Sequence, residues 1–205
     1  MSYKWLQWAK RIQAISQSGV SFTQDKFDQE RYQELIKLSA EIIADYSDYN
    51  MEAVEQLFLL EQGYQTPKVD VRGVVFNKDK ILLVKEEIDN KWSLPGGFCD
   101  VGLSPSENVI KEIQEEAGLE VQKKKLMAVY DMEKHQHSPQ PYHFYKFFIH
   151  CEVLGGALAE GIETIDVDFF DENSLPSLSE GRNTLSQLKQ MFHYYRNPEE
   201  PTYFD

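Results

Sequence analysis

Apolar residues recur at two different periods along this chain, and the period changes between residues 64 and 68. Trp5, Trp8, Ile12 and Ile15 follow one another at three- and four-residue steps. That spacing predicts a helix with one apolar face, and Gly19 predicts its stop. Leu35, Leu38, Ile42 and Tyr46 repeat the pattern in a second helix. A third starts after Asn50, a candidate N-cap, and runs toward Gly63. Three short amphipathic helices predict a small bundle over residues 1–66, with apolar faces that also suit a dimer surface.

Pro67 ends this regime, and residues 67–205 read as a second domain built mostly from strands. "VDVRGVVFN" and "KILLVKEE" are rich in apolar and β-branched residues, with a turn at "NKDK" between them. Ser104 to Ala117 predicts a helix. "LMAVYDMEK" and "YHFYKFFIHCEV" predict two more strands, joined by the polar loop "KHQHSPQP". The glycine-rich "GGALAEGIE" leads to a short strand, "IDVDFF". "LPSLSEGRNTLSQLKQMFHYY" predicts the last helix, and "NPEEPTYFD" a loosely held end.

A formal charge of −13 over 205 residues disfavours general nucleic-acid binding, because phosphates would be repelled. It leaves open action on a phosphate ester through a cation. Cys99 and Cys151 form no CxxC pair and predict two reduced thiols. No apolar run approaches the roughly 18 residues of a membrane span, and the first residues lack an apolar signal segment. A cytoplasmic protein is the expectation.

The chemistry concentrates in "SLPGGFCDVGLSPSENVIKEIQEEAGLEV". Ser104-Pro105-Ser106-Glu107 has the form of a capping box with proline at the first helical position, and Gly118 suits a left-handed C-cap. With Glu112 set to zero, Glu115 falls at about −60° and Glu116 at about +40°, so three carboxylates share roughly a 100° arc. Like charges at these spacings repel. Oxygen ligands on one helix face, beside a glycine loop, suit Mg²⁺ or Mn²⁺. A solvated acidic face is the competing reading.

This stretch resembles the Nudix box, G-x5-E-x7-R-E-U-x-E-E-x-G-U, anchored here on Gly97. Glu112, Ile113, Glu115, Glu116, Gly118 and Leu119 match it. Leu103 stands where the family has glutamate, and Lys111 where it has arginine. The resemblance spans about residues 68–196. It implies an α/β/α sandwich with a mixed sheet and a metal-dependent hydrolase of nucleoside diphosphates linked to another moiety. It implies Glu115 and Glu116 as main metal ligands, Glu112 as a further ligand or base, and the Gly97 carbonyl as part of the metal shell. Glu163 stands where relatives carry another catalytic carboxylate, with Glu160 as competitor. Lysine keeps the arginine's charge without its planar fork, so this arm of the site is expected to be replaced by packing, with Lys111 making a simpler contact.

The helical leader resembles that of bacterial Nudix enzymes acting on ADP-ribose or CDP-choline. The wording "GFCDVGLSPSENV" points first to CDP-choline, cleaved to CMP and phosphocholine, with RNA ends as a second substrate. Candidate substrate contacts are Arg72, Lys111, Tyr142 and His143. Tyr130, Phe144 and Tyr145 are candidate aromatic faces for a quaternary ammonium. His135, His137 and His143 cluster nearby, as solvent-facing loop residues or base contacts. A homodimer through the helical domain is expected. From another class, a nucleotide-sensing binding protein is favoured by Leu103 and Lys111 and opposed by the intact "EIQEE".

Overall fold

The computed structural model of the chain describes residues 3–59, 63–135, 137 and 140–205. They fall into two compact units, one drawn from Met1–Pro67 and Pro139–His143, the other from Lys68–Ser138 and Phe144–Asp205. None of their helices is long and apolar enough to cross a membrane.

The first unit holds α1 (Lys4–Phe22), α2 (Lys26–Tyr46) and α3 (Met51–Leu59). Its core is Leu6, Ala9, Ala40, Ile43, Val54 and Phe58. The inward face of α1 is therefore not the predicted one. Trp8 and Ile15 are 60% and 63% exposed, while Gln13, Ser16 and Gln17 point inward. Helices α1 and α2 approach closely at Gly19. A Cβ on Gly19 would lie 2.6 Å from the Tyr32 ring. Gly19 is thus a close-approach site rather than a stop, and the helix continues to Phe22. In α2, Leu35, Leu38 and Tyr46 likewise face outward. Asp25 caps α2 by accepting from the Phe27 and Asp28 amides, and Asn50 caps α3 by accepting from Ala53 N at 2.8 Å.

The second unit is built on β1 (Lys68–Asn77), β2 (Lys80–Glu86), β3 (Trp92–Ser93), β4 (Leu119–Asp131), β5 (Phe144–Gly156), β6 (Thr164–Phe170) and β7 (Tyr203–Phe204), with α4 (Pro105–Ala117) and α5 (Leu185–Arg196). The strands run in the order β3-β2-β1-β5-β4-β7, and β6 pairs with β2. β1 is parallel to β5 and antiparallel to β2. The sheet is therefore mixed, as expected.

The β1–β2 turn places Lys78 and Asp79 at φ 50° and 64°, the paired positive values of a two-residue type I′ turn. The apolar run Ile81–Val84 divides by strict alternation. Ile81 and Leu83 join the cluster around Leu188, Met191 and Phe192 of α5. Leu82 and Val84 join the cluster around Val109, Ile113 and Ala117 of α4. Both faces of the sheet are covered, which makes the α/β/α sandwich.

Two expectations fail here. The last helix starts only at Leu185, behind a Thr184–Gln187 capping box, because Ser177 and Ser179 pair with Trp92 and Asn183 accepts from Leu94 N instead. The C-terminal end is not loose. Tyr203 and Phe204 pair in parallel with Ala128 and Val129. Thr202 donates to Leu126 O at 2.6 Å, Lys125 donates to Pro198 O, and Asp205 accepts from Asp131 N at 2.7 Å. The Tyr203 ring sits 5.3 Å from that of Tyr130. Removing Tyr203, Phe204 and Asp205 is expected to cost about 2 kcal/mol, the scale of one buried aromatic. Urea denaturation measures this, and a loosely held end would leave the midpoint unchanged.

Candidate active site

The acidic helix is fixed at both ends by its own sequence. Ser104 Oγ accepts from Glu107 N at 3.3 Å, while Glu107 Oε2 accepts from Ser104 N at 2.8 Å. Gly118 closes the helix at φ 70°. The opposite face packs on β1 at Gly73, where a Cβ would meet the Ile113 side chain at 2.5 Å. That packing turns Glu112, Glu115 and Glu116 away from the core.

The glycine loop runs beside β1 as an irregular strand. Gly73 N donates to Pro95 O, Val71 N to Gly97 O and Cys99 N to Val69 O. Gly96 has φ 140°, and a Cβ there would lie 2.0 Å from Val71 O, so only glycine fits. Its amide donates to Glu116 Oε2 at 2.8 Å. A Cβ on Gly97 would lie 3.4 Å from the Glu112 carboxylate, which therefore rests over Gly97. The Gly97 carbonyl already accepts one hydrogen bond, leaving one lone pair for a further partner.

Burial pushes the Glu116 carboxyl up to about 8, against the pull of Arg72 and the Gly96 amide. Burial also raises Glu112, although Lys111 opposes it. Glu115 is more exposed and pairs with Lys111 at 3.2 Å. Lys111 Nζ also donates to Asp100 Oδ2 at 3.0 Å. These two acceptors hold Lys111 well above the ordinary lysine range. Leu103 is 40% exposed, so the altered arm is not replaced by packing. Polar contacts from Asp100 and the fully buried Asn108 take that place. Asn108 Oδ1 accepts from Asp100 N, and its Nδ2 donates to Leu103 O and Ser104 O.

Arg72 is not presented to solvent. It is 4% exposed. Its Nε and Nη2 donate to Asp70 at 2.9 and 2.8 Å, and its Nη1 donates to Leu94 O. Burial alone would raise Asp70, but Arg72 and Lys146 hold it below the usual carboxylate range. Buried Lys146 donates to Arg182 O at 2.7 Å, and buried Glu86 accepts from Ser93 Oγ and pairs with Arg182 Nε at 2.8 Å. This charged layer beneath Glu116 escaped sequence reasoning apart from Arg72. A charged residue inside an apolar strand run, as in "VDVRGVV", is the signal that could have found it.

Glu160 and Glu163 lie on a loop bolted to the end of α4. Ala159 N donates to Ala117 O and Thr164 Oγ1 to Glu116 O. A Cβ on Gly161 would lie 2.2 Å from Glu115 O. Glu163 O accepts from Glu87 N, and both loop carboxylates are exposed. Tyr142 and His143 cluster with the helical unit. Tyr130 is fully buried and donates to Gln190, so it offers no open aromatic face. Phe144 is also buried, with its ring stacked on Phe98.

The histidines are tied down as well. His135 bonds Asp205 at 3.0 Å. His137 Nδ1 reaches Glu180 O at 2.9 Å, and its Nε2 faces Gln187 Nε2 at 3.2 Å. Gln187 Oε1 is engaged by Thr184 N, so Gln187 donates and His137 carries its proton on Nδ1. Burial, with Lys146 nearby, lowers His137 to about 4.

Among the described residues no three His, Cys, Asp or Glu side chains already converge as a metal centre. The donor chemistry nevertheless fits a hard cation. Crowded carboxylate oxygens face a loop approachable at Gly97, and the charge on Glu116 is poorly compensated where it stands.

Comparison with known proteins follows the same division of the chain. Residues 3–58 match a family described as a UDP-X-like, N-terminal oligomerisation domain, and residues 66–191 match the NUDIX domain. A Bacillus subtilis (strain 168) protein, YjhB, provisionally named an ADP-ribose pyrophosphatase, is 54% identical over 98% of this chain and 97% of its own length. A crystal structure of a UDP-X diphosphatase is 37% identical, covers 98% of both chains and superposes with a TM-score of 0.65. A Streptococcus suis ADP-ribose pyrophosphatase structure is 44% identical over 68% of this chain and all of its own, with a TM-score of 0.62.

The His137 environment sets an acid limit. The folded protein keeps this ring neutral down to about 4, whereas an ordinary histidine takes a proton near 6.5. Its contribution to stability is complete above pH 6.5 and is lost as the pH falls from 6.5 to 4. His137→Gln is expected to flatten the fall in melting temperature across that window. Parallel curves for the two proteins would contradict it.

Proposed function

The chain belongs to the Nudix hydrolase family and is a pyrophosphohydrolase of nucleoside diphosphates linked to a second moiety, and we propose that its substrate is ADP-ribose, cleaved to AMP and ribose 5-phosphate. The names of the Bacillus and Streptococcus relatives support this choice over CDP-choline, which the sequence wording favours. The observation that carries the site assignment is the 2.8 Å bond from Gly96 N to Glu116, with Glu112 resting over Gly97.

Divalent cations serve this family generally. Glu112, Glu115 and Glu116, with the Gly97 carbonyl, are the groups that would hold Mg²⁺ or Mn²⁺. Bound there, the cation supplies positive charge against the pyrophosphate oxygens and eases ionisation of water. The protein groups do the rest. The Gly96 amide fixes the orientation of Glu116. Glu112, resting over Gly97, either joins that ligand set or takes the proton of the attacking water on its carboxylate. Glu163 stands on the bolted loop as a second candidate for that proton. Arg72 lies buried behind these acids and steadies their charge.

A second substrate reading rests on Phe98. Its ring is 53% exposed beside Gly97 and stacks on Phe144 at 5.3 Å. Such a face suits the quaternary ammonium of CDP-choline. RNA ends are disfavoured by the net charge of −13.

A product assay with Mg²⁺ or Mn²⁺ on ADP-ribose, CDP-choline, UDP-glucose and a short RNA separates these readings. Fastest turnover of ADP-ribose is expected, and preference for CDP-choline would overturn the choice. Glu116→Gln is expected to lower kcat by roughly 100-fold or more. The same change raises the melting temperature of the metal-free protein at neutral pH by a few degrees, because folding no longer has to drive a proton onto this carboxyl. Near-wild-type turnover would refute the site.

We further infer a homodimer through the helical unit. Trp8, Ile15, Phe22, Leu38 and Tyr46 are exposed in the single chain, and this region matches an oligomerisation domain. Light scattering is expected to give twice the 23.9 kDa chain mass, and a monomer mass would contradict it.

A further inference from the structure

Lys111 is shared between two carboxylates of different standing. Its Nζ lies 3.0 Å from Asp100 Oδ2 and 3.2 Å from Glu115 Oε2. Glu115 belongs to the acidic face, four residues along the same helix. Asp100 belongs to the loop beyond Gly97, where its backbone is anchored by Asn108 from inside the fold. All three side chains are partly solvated. Each pairing is therefore weak, and exchange between the two acceptors is cheap. Within the helix, a lysine preceding its glutamate by four residues is the less favourable order, so Glu115 is the poorer of the two holds.

A lysine resting on Glu115 opposes any cation that uses the same carboxylate. It neutralises the ligand and repels the incoming charge. Leu103 offers no alternative acceptor. Among the described residues, the other carboxylate that Lys111 touches is that of Asp100.

We propose that Asp100 is a positioning residue that draws Lys111 off Glu115, freeing that carboxylate to hold a divalent cation. This rests on the reading that Glu115 is a cation ligand. As Mn²⁺ binds, Lys111 moves wholly onto Asp100. With Asp100 neutralised, Lys111 stays on Glu115 and competes with the cation.

Mn²⁺ titration of the full chain without substrate, by calorimetry or by the electron paramagnetic resonance signal of free Mn²⁺, tests this. Asp100→Asn is expected to weaken Mn²⁺ binding about threefold to fivefold, the scale of one solvated ion pair. Asp100→Glu is expected to bind as the wild type does. Lys111→Gln is expected to bind as tightly as the wild type or more tightly. In the Lys111→Gln background, adding Asp100→Asn is expected to change nothing. A loss that persists in that background would overturn the proposal, because Asp100 would then act on the cation or the fold directly. No loss on Asp100→Asn alone would also overturn it. Glu115→Gln separates the two layers of the argument. If it weakens Mn²⁺ binding while Asp100→Asn does not, only the positioning role fails. If it leaves binding unchanged, the ligand reading fails, and the proposal with it.

Discussion

The backbone amide of Gly96 holds the carboxylate of Glu116, and the geometry of the acidic helix face against the glycine loop depends on that contact. It joins a loop to a helix that are otherwise braced separately against β1. The loop reaches β1 only because position 96 carries no Cβ, and the helix reaches it only because Gly73 makes room for Ile113. Two absent side chains thus bring a backbone donor to an acid. Neither contact is strong alone. An ordinary hydrogen bond contributes only about 0.5–1.5 kcal/mol net. Its value lies in fixing an angle that solvent would leave free.

Electrostatics beneath this contact run against stability. Glu116 is part-buried close to Glu86 and Glu112, and Arg72 only partly compensates because Asp70 holds it from the other side. Clustered acids of one sign in a partly desolvated site are a common mark of a functional site. The layer below answers with Lys146 and Arg182, which tie Asp70, Glu86 and the segment before α5 into one connected set. The second unit therefore holds an acidic surface over a cross-linked ionic floor.

What was legible in the sequence was what local chemistry decides. The α4 helix could be read from residue 104 to Gly118, because cap, proline and glycine are all short-range signals. The β1–β2 hairpin was equally plain. The carboxylate face followed from helical geometry alone. Long-range choices were not legible. Trp8 and Ile15 look like core by hydrophobicity, yet Ala9 and Ala40 are buried because two helices need to approach. Asp100, Asn108 and Gly161 act through partners that only the folded chain brings near. The anchoring of the tail is long-range in the same way, since Tyr203 finds β4 across more than 70 residues of chain.

The make-up of the helical unit has a consequence for how such proteins can be recombined. Its members are not contiguous in sequence. Residues 139–143 cluster with the first 67, and Lys10 donates to Tyr142 O at 2.8 Å. A leader of this kind cannot be exchanged as a cassette by cutting once near Pro67. A donor leader would arrive without the loop tip it expects, and the recipient would retain one fitted to a leader it had lost. Transplantation between relatives therefore has to move two segments together, so shuffling by a single crossover should rarely yield well-folded chimaeras.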